Sequence, residues 1–359
     1  MIKIAAIYDN NLTANFKACI MDRIRLAKVS EALASLGFSI DIIVNDRKGI
    51  VQKNSNVRYV SSDIAQWKDY DIIKTFFHRG FQFLVDNKLD DHPFIISKLG
   101  SVVGSSNSIP GVHFYGNVRK RLFNIQRRIA QKSKYVSILT QKSMSLWKNE
   151  FKRHDNILLV PTGVDRNIPQ PSYNPYSAFR EKIAVYIGSI YDASMQREVN
   201  LKWQRRLNII GSILKKKGIR LCLIGIGNID QLDRNMVTYL GPVSNETIWD
   251  YQYFANVGIV LAQGRAQHNE SSKIYYYLRT GLPVVSEESV PNNNIIREAN
   301  LGFIVDYNDN RKMADLIEEA VYAEWDRKSA IEFIVQHHTW DIRVKKYHQL
   351  IKDAFLKKI

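Results

Sequence analysis

Residues 268–285 could hold a diphosphate. They read as a loop, a helix opened by Ser271, Ser272 and Lys273, a stop at Gly281, and a strand that starts at Val284 and Val285. Either serine can cap the helix, because a hydroxyl accepts from the free amides of a first turn. Gly281 suits the left-handed position just past a helix end, and Pro283 bars further helix. The paired valines favour a strand. Free amides, hydroxyls and an ammonium at one helix start attract phosphate oxygens. These residues point to a nucleotide-linked substrate. A plain capped helix that carries a lysine and no ligand is the competing reading.

The elements that must position this helix start follow from apolar periodicity. Strand-like runs stand at 2–7, 38–44, 71–77, 93–97, 136–139 and 157–160. Between the first two, Ile20, Ile24, Ala27, Leu33 and Leu36 recur at helical spacing up to Gly37. A second series has strands at 182–187, 220–224, 237–240, 257–261 and 302–305, with helices at 200–217, 247–255 and 311–324. Such alternation implies parallel sheets covered on both faces. At 359 residues, two domains are expected.

Residues 166–178, with Pro169, Pro171 and Pro175, read as a linker, an ordinary long loop being the alternative. The expected organisation is therefore 1–165, a linker at 166–178, 179–340, and an amphipathic tail at 341–359. In that tail Val344, Tyr347, Leu350, Ile351 and Phe355 share a face that can pack back on the first domain. Two sheets of this type leave a cleft at the carboxyl ends of their strands.

Lys plus Arg number 51 against 35 Asp plus Glu, a net charge of +16. That charge attracts nucleic acid, anionic lipid or phosphorylated substrates without choosing among them. No run approaches the ~18 apolar residues of a membrane span. The first nine residues read as a buried strand and not as a signal peptide. Cys19 and Cys222 stand in no metal or redox spacing, which fits a reducing cytosol.

In this order the motifs resemble the GT-B superfamily of glycosyltransferases, most closely the family-4-like (group 1) enzymes that use nucleotide sugars. The resemblance rests on the opening strand, the helix–strand pair at 23–44, Val160-Pro161-Thr162-Gly163-Val164-Asp165, Tyr186-Ile187-Gly188-Ser189, Leu223-Ile224-Gly225-Ile226-Gly227, Tyr239-Leu240-Gly241-Pro242-Val243, and residues 273–285. It covers nearly the whole chain. It implies an α/β GT-B fold, two Rossmann-like doubly wound parallel-sheet domains facing a cleft, with the donor nucleotide on the second.

By the same resemblance, Gly188 and Ser189 approach the diphosphate, because a larger side chain would hold the backbone away. Gly225 stands in the neighbouring turn, and Gly241, Pro242 and Val243 border the base. Ser271, Ser272 and Lys273 hold the diphosphate, and the lysine neutralises the leaving group. Glu270 and Tyr276 are placed at the donor as well, and UDP is the expected nucleotide. There are departures. Family-4 enzymes carry two glutamates eight positions apart, and counting back from Gly281 those positions hold His268 and Tyr276. This looks more like bacterial transferases of gum and capsule synthesis, glucuronosyltransferases included, some of which invert the anomeric centre. The family's Gly-rich turn after the first strand is replaced by Asp9-Asn10-Asn11.

The resemblance gives the first domain a glycan or lipid-diphosphate-linked acceptor, as in surface polysaccharide synthesis. An inverting enzyme needs a base near the acceptor hydroxyl. Asp9, His78 and His113 are the candidates; each can also be a cap, a packed histidine or a loop residue. No Asp-x-Asp follows a strand, so neither metal nor cofactor is expected, the nucleotide sugar being a substrate. The basic helix at 119–134 sets Leu122, Ile125 and Ile129 on one stripe. It either lies on an anionic membrane at the inner face or covers its own sheet. The rival readings are a GT-B-fold epimerase, a noncatalytic sugar-nucleotide-binding protein, and a nucleic-acid binder, for which no RNA-binding motif is present.

Overall fold

The computed structural model describes residues 1–9, 11–13, 21–45, 49–105, 116–190 and 193–356. The chain forms two compact units, one of residues 1–163 and 340–359, the other of residues 164–339.

In unit 1, β1 (Lys3–Ile7), β2 (Ser39–Val44), β4 (Val57–Ser61), β5 (Ile72–Phe76), β6 (Ile95–Lys98), β7 (Tyr135–Ile138) and β8 (Ile157–Leu159) run parallel. An edge strand, β3 (Ile50–Asn54), pairs antiparallel with β4. The order is β3-β4-β2-β1-β5-β6-β7-β8. The central strands β5 and β6 are buried along their whole length, polar residues included, because helices cover both faces. On one face lie α1 (Met21–Ser35) and α11 (Trp340–Leu356), and Val344, Tyr347 and Ile351 of α11 pack with Leu33 in the core. On the other lie α2 (Phe77–Asp86), α3 (Gly116–Lys132) and α4 (Gln141–Phe151), which contribute Phe81, Ile129 and Trp147. The amphipathic tail thus belongs to unit 1.

In unit 2, β9 (Lys182–Ile187), β10 (Ile219–Ile224), β11 (Val237–Gly241), β12 (Val257–Val260), β13 (Val284–Glu287) and β14 (Gly302–Val305) form a parallel sheet in the order β11-β10-β9-β12-β13-β14. Its helices are α5 (Ala193–Lys216), α6 (Ile248–Tyr253), α7 (Ser272–Arg279), α8 (Asn294–Glu298), α9 (Asn310–Tyr322) and α10 (Arg327–His337). Strand order reverses between β1 and β5 in unit 1 and between β9 and β12 in unit 2. Sheets of this kind take ligands outside the carboxyl ends of the strands that flank such a reversal.

Two sequence readings change here. The proline-rich segment is no free tether, since it folds onto α6 of unit 2. The Ser172 amide and hydroxyl donate to the Asp250 carboxylate at 2.7 and 2.8 Å, and the buried Tyr176 donates to the Tyr251 carbonyl at 3.0 Å. The boundary accordingly falls between residues 163 and 164. The apolar stripe of α3 is also committed, because Leu122, Ile125 and Ile129 are buried in their own unit. Arg128 and Lys132 pair with Asp90 and Asp91 at 2.5 Å each. What α3 offers to a surface is the charge of Lys120, Arg121 and Arg127, which are exposed, and not an insertable face.

Lys74 lies among these apolar groups with 2% of its surface exposed, and its ammonium has no hydrogen-bond partner among the described residues. It sits 3.7 Å from the Tyr347 ring centroid. Burial lowers its pKa to about 7 from 10.5. Below pH 7 both the folded and the unfolded chain are protonated there. Between about 7 and 10.5 the unfolded chain binds more protons, so folding stability rises with pH, by up to about 1.4 kcal/mol per unit. Urea midpoints at pH 7 and 9 are expected to show this rise, and Lys74→Met is expected to flatten it. An equal slope in both proteins would refute the assignment.

Candidate functional site

The unit 2 site is built where β9, β10 and α7 meet. The Gly188 amide donates to the Ile224 carbonyl at 2.8 Å, and the Gly225 amide to the Gly241 carbonyl at 3.0 Å. The turns are pressed together: a Cβ on Gly225 would lie 2.1 Å from the Gly188 carbonyl oxygen. A Cβ on Gly188 would lie 2.6 Å from Lys273 Cε and 2.8 Å from Nζ. The lysine therefore lies across the glycine turn. Its ammonium stands 5.0 Å from the Tyr186 ring centroid, and burial lowers its pKa to about 8 from 10.5. Among the described residues, no carboxylate oxygen lies within 4.0 Å of this ammonium. At Gly241, φ is +77°, and Pro242 beside it is exposed.

Ser271 occupies the N-cap of α7, but its hydroxyl makes no capping bond. Asn292 fixes it through the backbone instead: the Ser271 amide donates to Asn292 Oδ1 at 2.8 Å, and Asn292 Nδ2 donates to the Ser271 carbonyl at 3.0 Å. The cap residue's own backbone is thus held by a side chain 21 positions away. Tyr275 donates to Glu270 Oε2 at 2.9 Å, which holds that carboxylate beside the helix start. Tyr276 is buried, and its ring stacks on Trp249 at 5.4 Å and 21°. His268 is buried too, with 1% exposed.

Sequence reasoning missed Tyr277. Its hydroxyl accepts from the Ile187 amide at 2.8 Å, and a Cβ on Gly258 would meet its ring at 2.5 Å. It locks α7 to the end of β9 and so sets where Lys273 falls. Gly258, a glycine inside a buried strand, was the available signal. Ile226 is half-exposed between Gly225 and Gly227.

In unit 1, Asp9 and His78 come from the elements that flank the strand reversal. Asp9 Oδ1 accepts from the Asn11 amide at 3.0 Å, and its Oδ2 lies 3.8 Å from Arg79 Nη1. His78 lies in the first turn of α2 and not on a loop. Burial, reinforced by the guanidiniums of Arg79 and Arg121, lowers its pKa to about 4. The preceding Phe77 has φ +60°, a left-handed backbone that costs an aromatic residue about 1–2 kcal/mol. Gly80 permits that turn, since a Cβ there would lie 2.4 Å from the Ile7 carbonyl oxygen. The strain brings His78 and Arg79 over the end of β1. His113 lies outside the described residues. Among the described residues, no three His, Cys, Asp or Glu side chains gather as a metal-binding set, and no helix is long and apolar enough to cross a membrane.

Two doubly wound units with these strand orders have the GT-B fold, and solved structures agree. Sucrose-phosphate synthase from Thermosynechococcus elongatus matches with a TM-score of 0.74 at 14% identity, over 99% of this chain and 100% of that one. Alr3699/HepE from Anabaena, in complex with UDP and glucose, gives 0.69 at 11%, over 98% and 100%. An α,α-trehalose-phosphate synthase (UDP-forming) from Burkholderia vietnamiensis gives 0.66 at 10%, over 98% and 100%. Within that fold, residues 196–332 match the model of a family described as the glucosyltransferase 3-like C-terminal domain. No curated protein sequence matches the chain. The chain shares the fold of these structures along nearly its whole length.

Proposed function

We propose that the protein transfers a hexosyl or glucuronosyl group from a UDP-sugar to a hydroxyl of a glycan or lipid-linked acceptor. The observation that carries this reading is the Lys273 ammonium lying across Gly188, with no carboxylate partner among the described residues. A partly buried cation without an acid is suited to an anionic ligand, and the α7 amides stand beside it. As the glycosidic bond breaks, negative charge grows on the departing diphosphate, and these groups stabilise it where it develops. The glucosyltransferase family match in unit 2, and the UDP complex of one structural neighbour, support the choice of donor. No step in this scheme calls for a metal ion. Surface polysaccharide synthesis at the inner face of the membrane is the proposed setting, with the exposed charge of α3 as the attraction.

Unit 1 supplies the acceptor groups. His78 is neutral at pH 7 and a poor proton acceptor, because burial and two guanidiniums disfavour its charged form. Asp9, oriented by Arg79 and the Asn11 amide, is the proposed base for an inverting transfer. Asp9→Asn is expected to lower kcat by about 10²–10⁴-fold while the KM for donor stays within about twofold. An unchanged kcat would remove Asp9 from the chemistry.

The functional test uses the purified protein with UDP-, GDP-, ADP- and CMP-sugars. UDP-sugars alone should raise the melting midpoint, and nucleotide release should require an acceptor. Conversion of free donor without acceptor would mean an epimerase, and binding without turnover a sensor; either refutes the transferase.

A further inference from the structure

The loop that leaves β10 is held by one face of α5. That helix carries three amide side chains, Asn200, Gln204 and Asn208, at four-residue spacing. Asn200 Nδ2 and Gln204 Nε2 both donate to the Asn228 carbonyl, at 2.9 and 3.1 Å. Gln204 Oε1 accepts from the Gln231 amide at 2.9 Å. Asn208 Nδ2 donates to the Gln231 carbonyl, and its Oδ1 accepts from the Asp233 amide, both at 2.9 Å. Gln204 Nε2 also donates to Asn200 Oδ1, which joins the first two rungs of this ladder. Asn200 and Gln204 are buried. Buried amides are costly unless they are hydrogen-bonded, and here the loop backbone provides the bonds.

The ladder fixes the loop that presents Ile226. Gly225 and Gly227 flank this residue at φ +149° and +148°, where a side chain is strained. A Cβ on Gly227 would lie 2.0 Å from the Ile190 carbonyl oxygen, just as one on Gly225 would meet that of Gly188. The Ile190 amide donates to the Ile226 carbonyl at 2.9 Å. Backbone thus presses on backbone, and the Ile226 side chain is left with 50% of its surface exposed, while Leu221, Cys222, Leu223 and Ile224 before it are buried. Neighbouring strands lie about 4.8 Å apart and successive Cα atoms about 3.8 Å, so Ile226 stands within about 10 Å of Gly188, where Lys273 crosses. A nucleoside whose diphosphate meets that ammonium reaches this far. A lone exposed isoleucine is ordinary on any surface. One whose loop is fixed by three side chains of another element, beside a cation suited to diphosphate, has the marks of a preorganised contact.

We propose that Ile226 is the apolar platform on which the nucleoside of the donor rests, and that Gln204, with Asn200 and Asn208, is a positioning residue for it. The inference rests on the reading of Lys273 as the diphosphate site and names a contact that the diphosphate does not make.

The test titrates the full chain with UDP and with inorganic pyrophosphate, which has no nucleoside. Ile226→Ser is expected to weaken UDP binding at least about fivefold and to leave pyrophosphate within about twofold. Ile226→Leu should restore most of the UDP affinity. Gln204→Met keeps the bulk of the side chain and removes its bonds. It should give the same split between the two ligands, with faster hydrogen exchange at the Gln231 and Asp233 amides. Asn208 is only partly buried, so Asn208→Ala asks the same question should Gln204→Met fail to fold. A merely structural role would lower the melting midpoint and leave the ratio of UDP to pyrophosphate affinity as in the wild type. That unchanged ratio in the ladder variants, or undiminished UDP affinity in Ile226→Ser, would overturn the proposal. Failure of both ligands to bind the wild type would instead remove the Lys273 reading, and this inference with it.

Discussion

Lys273→Met is expected to lower kcat/KM for a UDP-sugar by about 10²–10³-fold, or roughly 2.7–4 kcal/mol. Methionine keeps the aliphatic stem that crosses Gly188 and removes only the charge. If the ammonium meets the leaving diphosphate, the loss falls mainly on kcat, because charge on that group is greatest in the transition state. The pH dependence gives an independent reading. With its pKa lowered to about 8, the amine of the free protein is charged at pH 7 and loses its proton as pH rises through 8. Donor affinity should be flat below that point and fall up to about tenfold per unit above it. In Lys273→Met this fall should vanish. Gly188→Ala approaches the same contact from the other side, since its Cβ would lie 2.6 Å from Lys273 Cε and must displace the stem. A loss of about tenfold in donor affinity is expected there. Unchanged kcat/KM in Lys273→Met would end the donor assignment.

The parts of this site that sequence revealed are those where the backbone itself is the constraint. Gly281 has φ +70°, and the Gly281 and Leu282 amides close the end of α7 on Leu278 and Tyr277. Gly188, Gly225 and Gly241 mark strand ends where chain approaches chain, and such needs are written locally as glycine. Lys273 was legible because it follows two serines at a helix start.

What stayed hidden depends on partners remote in sequence. Asn292 holds the backbone of Ser271 from the end of another loop. Tyr277 reaches back 90 residues to the β9 amide, and in the sequence it is one of three adjacent tyrosines with nothing to set it apart. The β3–β4 hairpin gave no signal because every residue of β3 is exposed and polar residues dominate its second half. Helix α10 buries only Ala330 and Ile334, too few positions to show a stripe. Lys74 lay inside an apolar run whose strand was read correctly and whose single charge was not. In α3 the stripe was legible, but its destination in the unit 1 core was not, since membrane and core ask for the same spacing.

The largest stability effect is expected from Arg206→Met, at about 3–5 kcal/mol. Arg206 on α5 donates to both oxygens of Glu287 at 3.0 and 2.6 Å, and neither side chain has more than 4% of its surface exposed. The same carboxylate accepts the Ala262 amide at 2.6 Å, just past β12, and the Asn308 amide at 2.5 Å, beyond β14. One acid at the end of β13 therefore joins three strand ends and a helix. Removing the arginine leaves a buried carboxylate with only amides to balance it. Glu287→Gln should cost nearly as much, because its amide nitrogen would face the guanidinium. The double variant Arg206→Met, Glu287→Met should recover part of the loss, since no charge is then stranded. Urea unfolding, with hydrogen exchange on unit 2 peptides, separates this loss from events in unit 1. A change below about 1 kcal/mol in either single variant would show that the pair is screened by water and does not organise these strand ends.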